Sequence, residues 1–386
     1  MIYLDNAANR ALNKYALGVA ISKTNFPGNP SSKHRLGKKQ KNAIDLARTE
    51  ILNEICGDGC IYFTSGATES NNLALRSLAE IGRAKNKNHF ITTEFEHSSV
   101  RRLFKVLESE GFDVTYIKPD KSGVIDFYKI KNAIRDNTIA VSMMFINNEI
   151  GTIQPVKRVG KLCRENNIYF HCDGVQAVGS IPVDIQDLNI DYLTASAHKF
   201  GGMTGVGFLY ESKRLKGATK PIMYGGNQNY GIRPGTESPI AIVCMAEALK
   251  IANTEIDKKR KYVSTLRNEL QSLLTTISGS KYNGSIYEDE RSPGILNISF
   301  KDVSGDELAL LLSERDICVS TASACSSSFY DRNYVTKSID IPEDYINGTI
   351  RISLSVDNKE EEIILVFNAI CEIIDKIRAR KIGGNN

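Results

Sequence analysis

Between about residues 35 and 250 the chain alternates short apolar runs with segments of helical period, and this alternation restricts the fold more than any other feature. Ile44, Ala47, Ile51 and Ile55 recur at helical spacing, and Cys60–Phe63 follows as a strand. Leu73, Ala74, Leu78 and Ile81 mark the next helix, expected to stop near Gly82. Further strand-like runs lie at His89–Thr92, Val114–Ile117, Ile139–Ile146, Ile168–Phe170, Tyr192–Thr194 and Val206–Tyr210. Helix-period stretches such as Val156, Val159 and Leu162 separate several of them. Such a chain buries a mostly parallel sheet under helices on both faces.

Beyond this stretch the pattern changes. Pro239 to Ile277 reads as one long helical run, a strut into a second region. That region holds Ile295–Phe300, a helix from Asp306, Ile350–Leu354 and a C-terminal amphipathic helix. A length of 386 residues exceeds what one small core encloses. The expected class is therefore α/β, with a large domain at 13–250 built on a mostly parallel mixed sheet covered by helices. A smaller α+β domain is expected from 1–12 together with 251–386.

Charge and composition exclude several classes of function. The net charge of +4 is mild, and no run of five or six like charges is present, so direct nucleic-acid binding is not expected. Lys38, Lys39 and Lys41 read as a solvated helix face. No apolar stretch reaches the roughly 18 residues of a membrane span. Met1–Asp5 runs straight into a strand-like segment, without the basic and apolar regions of a secretory signal. The expectation is a cytoplasmic protein whose eight cysteines are reduced. Cys56 and Cys60 have no second close Cys/His pair to complete four ligands, so no metal site is expected.

In an open sheet of this kind ligands bind beyond the carboxyl ends of the strands, and the chemically distinctive residues fall there. Ser65-Gly66-Ala67-Thr68 links a strand to a helix, where free backbone N–H groups and the helix dipole meet an anion. Asp173 ends an apolar strand, and Gln176 follows three residues later. Lys199 closes the string Ser196-Ala197-His198-Lys199 after another strand. A lysine there can form a Schiff base with an aldehyde, and the carboxylate can keep a pyridine nitrogen protonated. Together they describe a protein that holds pyridoxal phosphate (PLP) and uses it as an electron sink. Gln176 is placed to donate to the ring phenolate, and Ser196 and His198 to reach the phosphate. Arg351, within Ile350–Leu354, offers a planar fork suited to an amino acid's α-carboxylate. Cys325 lies among the small residues of Ser320–Ser328, either as a thiol nucleophile or as an incidental cysteine.

These strings, in this order, resemble the NifS/IscS-like cysteine desulfurases, PLP enzymes of the class V aminotransferase group. The resemblance runs from Tyr3-Leu4-Asp5 to about Ser355. It implies PLP fold type I, L-cysteine as substrate, and alanine as product. It also implies a persulfide on Cys325 that is passed to an acceptor protein for iron–sulfur cluster assembly or tRNA thiolation. By the same resemblance His97 stacks on the pyridine ring and handles protons, and Asn148 lies near the ring oxygen and the substrate. Ala67 and Thr68 hold phosphate, and Thr236 reaches the phosphate of a neighbouring subunit, which makes the enzyme a homodimer. The long interval from Cys325 to Arg351 is similar to the subgroup with a long cysteine loop. Two other readings stay open: a selenocysteine lyase or other class V enzyme, and a catalytically silent sulfur-transfer scaffold. The chain departs from the family pattern at three places. Asn9-Arg10 stands where threonine and proline are usual, Met203-Thr204 where proline and a cation are usual, and Pro234 where serine is common.

Overall fold

The computed structural model describes residues 1–321 and 333–383. A short strand, β1 (Ile2–Tyr3), precedes the seven strands of the main sheet. These are β2 (Cys60–Thr64), β3 (His89–Thr93), β4 (Asp113–Ile117), β5 (Thr138–Met144), β6 (Tyr169–Asp173), β7 (Tyr192–Ser196) and β8 (Gly207–Glu211). They lie in the order β2-β8-β7-β6-β5-β3-β4. Strands β4, β3, β5, β6 and β7 are parallel, and β8 is antiparallel to both of its neighbours. Every residue of β5 is buried, which is why a central strand of this sheet reads as a continuous apolar run rather than an alternating one.

Helices cover both faces. Leu73 and Leu78 from helix Ala67–Ala84 pack with Leu103 and Phe104 from helix Ser98–Ser109 and with Phe90 of β3. On the opposite face Ile44 and Ala47 join Val159, Leu162 and Ile242. The helix expected to stop near Gly82 ends two residues later, at Ala84. Gly82 is buried, and a Cβ on it would stand 2.3 Å from Ile139 Cδ1. Close helix–sheet packing, rather than chain reversal, accounts for this glycine.

The second region is a four-stranded antiparallel sheet. After β9 (Ser280–Tyr282) and β10 (Ile295–Phe300) come β11 (Ile317–Cys318), β12 (Ser320–Thr321) and β13 (Thr349–Ser353), and the sheet order is β12-β13-β10-β9. Strand β11 instead pairs in parallel with β1. A separate core unites Leu266, Leu270, Phe300, Ile350, Ile370 and Ile374, and Leu4 packs into it. The amino-terminal residues thus pack with the carboxy-terminal ones.

The single strut expected from Pro239 to Ile277 is two helices, Pro239–Asn253 and Ile256–Leu274. Glu255 between them is left-handed, at φ 52°. Asn253 Nδ2 donates to the carbonyl of Glu54 at 3.0 Å, and Thr254 Oγ1 donates to the Lys250 carbonyl at 2.9 Å. These bonds end the first helix against the large sheet's core and free the second to carry Leu266 and Leu270 into the other core.

Candidate active site

Five segments that follow strands of the main sheet converge with the amino-terminal segment and β13. They enclose a cavity of about 380 Å³. Ala67 and Thr68 follow β2, His97 follows β3 and Asn148 follows β5. Asp173 ends β6, with Gln176 just beyond it, and Ser196, His198 and Lys199 close β7. All of these line the cavity, and so does Arg351 of β13. Parallel strands explain the convergence, because their carboxyl ends emerge on one edge.

One end of the cavity suits an oxyanion. Gly66 precedes helix Ala67–Ala84 at φ 151°, and no side chain caps the helix. A Cβ on Gly207 would stand 2.8 Å from the Gly66 Cα, so glycine lets the turn press against β8. The turn is braced by Glu69, which accepts from the Ser65 N–H at 2.7 Å and from Arg233 Nε at 2.9 Å. Ser196 Oγ and His198 Nδ1 lie 3.0 Å apart. Burial, then the adjacent Lys199, push the His198 imidazole down to about 4, so it is neutral near pH 7.

The opposite end holds a fixed carboxylate. Asp173 is buried; its Oδ2 accepts from Asn71 Nδ2 at 2.9 Å and its Oδ1 from the Val175 N–H at 3.1 Å. Asn71 is the hub beneath it. Its Nδ2 also donates to Ser99 Oγ at 2.9 Å, and its Oδ1 accepts from Thr194 Oγ1 at 2.8 Å. His171 Nε2 lies 3.1 Å from the same oxygen. His97 caps helix Ser98–Ser109, its Nδ1 accepting from the Ser99 N–H at 3.2 Å. That bond leaves the proton of a neutral ring on Nε2. Burial lowers the His97 pKa; Asp173 opposes this and Lys199 adds to it.

Lys199 Nζ donates to the carbonyls of Ala7 at 2.7 Å and Ala8 at 2.9 Å. Gln176 Nε2 donates to the same Ala7 carbonyl at 2.9 Å. Arg351 spans two acceptors, Asn148 O at 2.9 Å through Nη1 and Asp5 Oδ1 at 2.7 Å through Nη2. Its Nε is buried without a partner, as is Asn148 Oδ1. Two buried acids stand behind the wall. Burial raises Glu149 to about 7, opposed by Arg351 and Arg101. Burial raises Glu96 to about 8 against bonds from Thr93 and the Met144 N–H.

One expected residue is not in this cavity. Thr236 is exposed and lines none of it. Cys325 lies outside the described residues. The chain on either side of it is placed at the site: Ser320 of β12 pairs with Arg351, and Tyr334 Oη donates to the Glu96 carbonyl at 3.0 Å. Sequence reasoning missed Asn71, Ser99, Asp5 and the carbonyls of Ala7 and Ala8. Asn71 sits one helical turn after Thr68, and that spacing was the available signal.

The Aminotransferase class-V family profile matches residues 2–366. The chain belongs to the class-V aminotransferase family. It is similar to "Cysteine desulfurase IscS" of Methanosarcina thermophila, with 40% identity over 98% of this chain and 93% of the relative. Among solved structures it resembles a "NifS-like protein" with TM-score 0.89 and 34% identity, over 97% of this chain and 99% of that one. It also resembles "SspA in complex with cysteine", with TM-score 0.79 and 32% identity over 92% and 99% of the two chains. The class-V cofactor, PLP, suits the donors found here. The uncapped helix start with Thr68, Ser196 and neutral His198 suits its phosphate, and Asp173 suits its pyridine nitrogen. The unpartnered Asn148 amide oxygen shows a polar wall with bonding capacity left over.

Proposed function

We propose that this cavity is the active site of a PLP-dependent cysteine desulfurase, with the residue roles given below. One observation carries the assignment: a lysine, a buried carboxylate, a neutral histidine, an uncapped helix start and an arginine fork line the same 380 Å³. Bound PLP supplies the sink for the electron pair released at the substrate's α-carbon. The protein's own groups do the rest. Lys199 is the amine that holds the cofactor covalently, and once released it takes and returns the α-proton. Asp173, fixed by Asn71, keeps the pyridine nitrogen protonated. Arg351 binds the cysteine carboxylate, and its unpartnered Nε is a donor still available for that bond. His97, neutral with its proton on Nε2, passes a proton at the ring face in this reading.

Cys325 supplies the nucleophile. Its thiolate Sγ attacks the sulfur of bound cysteine. An S–S bond forms as the substrate's C–S bond breaks; the bond's electron pair stays with the β-carbon, which takes a proton to become alanine's methyl group, and the persulfide stays on Cys325. The persulfide passes to an acceptor protein, in iron–sulfur cluster assembly or thiolation. Exposed Thr236 completes the phosphate cup of a second copy, so the working unit is a homodimer. The separate core that includes Leu4 supports a second unit built from 1–12 and 251–386 beside 13–250, with Ala7, Val335, Ile339 and Ile346 packing into the large core at the boundary. Among the described residues no helix is long and apolar enough to cross a membrane.

Cys325→Ser tests the reading. The variant should retain the coloured cofactor and bind L-cysteine, yet form neither protein persulfide nor alanine above background, because a hydroxyl is a far weaker nucleophile toward sulfur. Alanine released at the parent rate would refute the desulfurase mechanism.

A further inference from the structure

A second cavity, of about 400 Å³, lies behind the first. It is bounded by residues 6–14, by the break between helices Pro239–Asn253 and Ile256–Leu274, and by the residues after β13. Ala7 and Gln176 line both cavities, so a single layer of chain separates them. That layer carries the Ala7 carbonyl that accepts from Lys199.

The charges in this second cavity do not balance. Its wall holds four cations, Arg10, Lys14, Lys259 and Arg260, against one carboxylate, Asp357. Arg260 is paired with Asp257 at 3.2 Å. Arg10 and Lys259 bond main-chain carbonyls instead: Arg10 Nη1 to Gly179 at 3.5 Å and Lys259 Nζ to Ile251 at 2.5 Å. Both line the same cavity. Burial lowers the Lys259 ammonium; Glu255 opposes this, and the Arg10 charge adds to it. Burial lowers Arg10, opposed by Asp357. Two partly buried like charges held together by backbone form a focused positive potential. The remainder of the wall is mixed, with an apolar stretch of Phe200, Ile251, Ala252 and Ile256 beside polar residues such as Asn13, Ser180 and Ser292. The volume falls within the range of metabolite sites, roughly 300–1,000 Å³.

We propose that this cavity binds a small organic anion. Its oxyanion group sits on Arg10 and Lys259, and its apolar part rests on Ile251, Ala252 and Ile256. Both a phosphate and a carboxylate satisfy the fork and the ammonium, so the test has one arm for each. PLP-saturated full-length protein is titrated calorimetrically with phenyl phosphate and, separately, with benzoate at constant ionic strength. At least one should bind, and Arg10→Gln and Lys259→Met should each weaken it about tenfold or more. Lys161→Met, on an exposed helix surface, should leave binding unchanged. If Arg10→Gln does not fold, Lys259→Met alone decides. The proposal fails if neither compound binds the PLP-saturated chain. It also fails if the cavity variants bind as the parent does, or if binding appears only after PLP is removed, which would place the anion in the phosphate cup.

Discussion

Replacing Asn71 with leucine tests whether the site depends on a residue with no direct chemical role. The side chain has zero exposure and uses its full bonding capacity, donating to Asp173 and Ser99 and accepting from Thr194 and His171. Leucine matches its size and removes all four bonds. Ser99 Oγ keeps a partner, His97 Nδ1 at 2.7 Å. Thr194 Oγ1 and His171 Nε2 are left in the core without the acceptor they had. Each such buried group costs about 1–3 kcal/mol, and the lost bond to the Asp173 carboxylate about 1.5–3 kcal/mol more. The apo protein should therefore lose several kcal/mol, a large part of the 5–15 kcal/mol typical of a folded domain.

The consequence for PLP is separable from that loss. Only the Asp173 bond bears on the cofactor, so PLP affinity should fall about tenfold to a hundredfold, the equivalent of 1.5–3 kcal/mol. Urea unfolding of the apo form measures the first quantity, and spectrophotometric titration with PLP at low denaturant the second. A variant that is destabilised as expected yet binds PLP within about twofold of the parent would refute the claim that Asn71 positions Asp173. Asn71→Ser, too short to span both partners, should fall on the same side as leucine.

Lys199→Ala should lose PLP on dialysis and fall to background turnover. Borohydride reduction of the parent should label the Lys199 peptide, and a label on any other lysine would overturn that role. Arg351→Lys keeps the charge and loses the fork, so the KM for cysteine should rise about tenfold or more, roughly 1.4 kcal/mol; unchanged saturation would make Arg351 structural only. Glu96→Gln should flatten the pH dependence of stability. The folded carboxyl sits at about 8 against an ordinary 4.5, so the folded chain holds an extra proton across that interval. Its stabilisation is full below 4.5 and lost as pH rises through 8. Urea midpoints measured across this range should decline less in the glutamine variant, which retains an oxygen for Thr93 and Met144; parallel curves would count against the assignment.

Features that depend on neighbouring residues alone were legible in the sequence. The fully buried strands read as apolar runs, and the polar residues ending them stood out because a ligand edge is the place where a parallel sheet tolerates such residues. Lys199, Asp173, Thr68 and His97 reach one cavity for that reason. What stayed hidden depends on distant partners. Asn71 sits among good helix-surface residues, and its burial follows from Ser99, Asp173, His171 and Thr194, which arrive on three other segments. The break at Glu255 has no glycine or proline to announce it. Local propensity favours one helix from Pro239 onward, and the requirement to serve two cores overrides it. Gly82 marks the helix end to within two residues, and its contact with Ile139, which leaves no room for a Cβ, was not legible.

The Asp5–Arg351 pair combines both cases. Arg351 was legible as a carboxylate fork because its strand places it at the cavity. Its present partner lies 346 positions away in the chain and is brought near by the β1–β11 pairing and the bridge from Asp5 to Ser353. On the proposed role, a cysteine carboxylate either takes the unpartnered Nε or shares the Nη2 donor with a carboxylate that the fold supplies. Asp5 holds the guanidinium plane before substrate arrives and competes with it afterwards. Removing Asp5 would relax the orientation of the fork and at the same time free a donor, so the two effects on KM oppose each other. The substitution of Arg351 itself is the cleaner measure of the clamp, because lysine cannot reproduce the planar span from Asn148 O to Asp5 whichever carboxylate is bound.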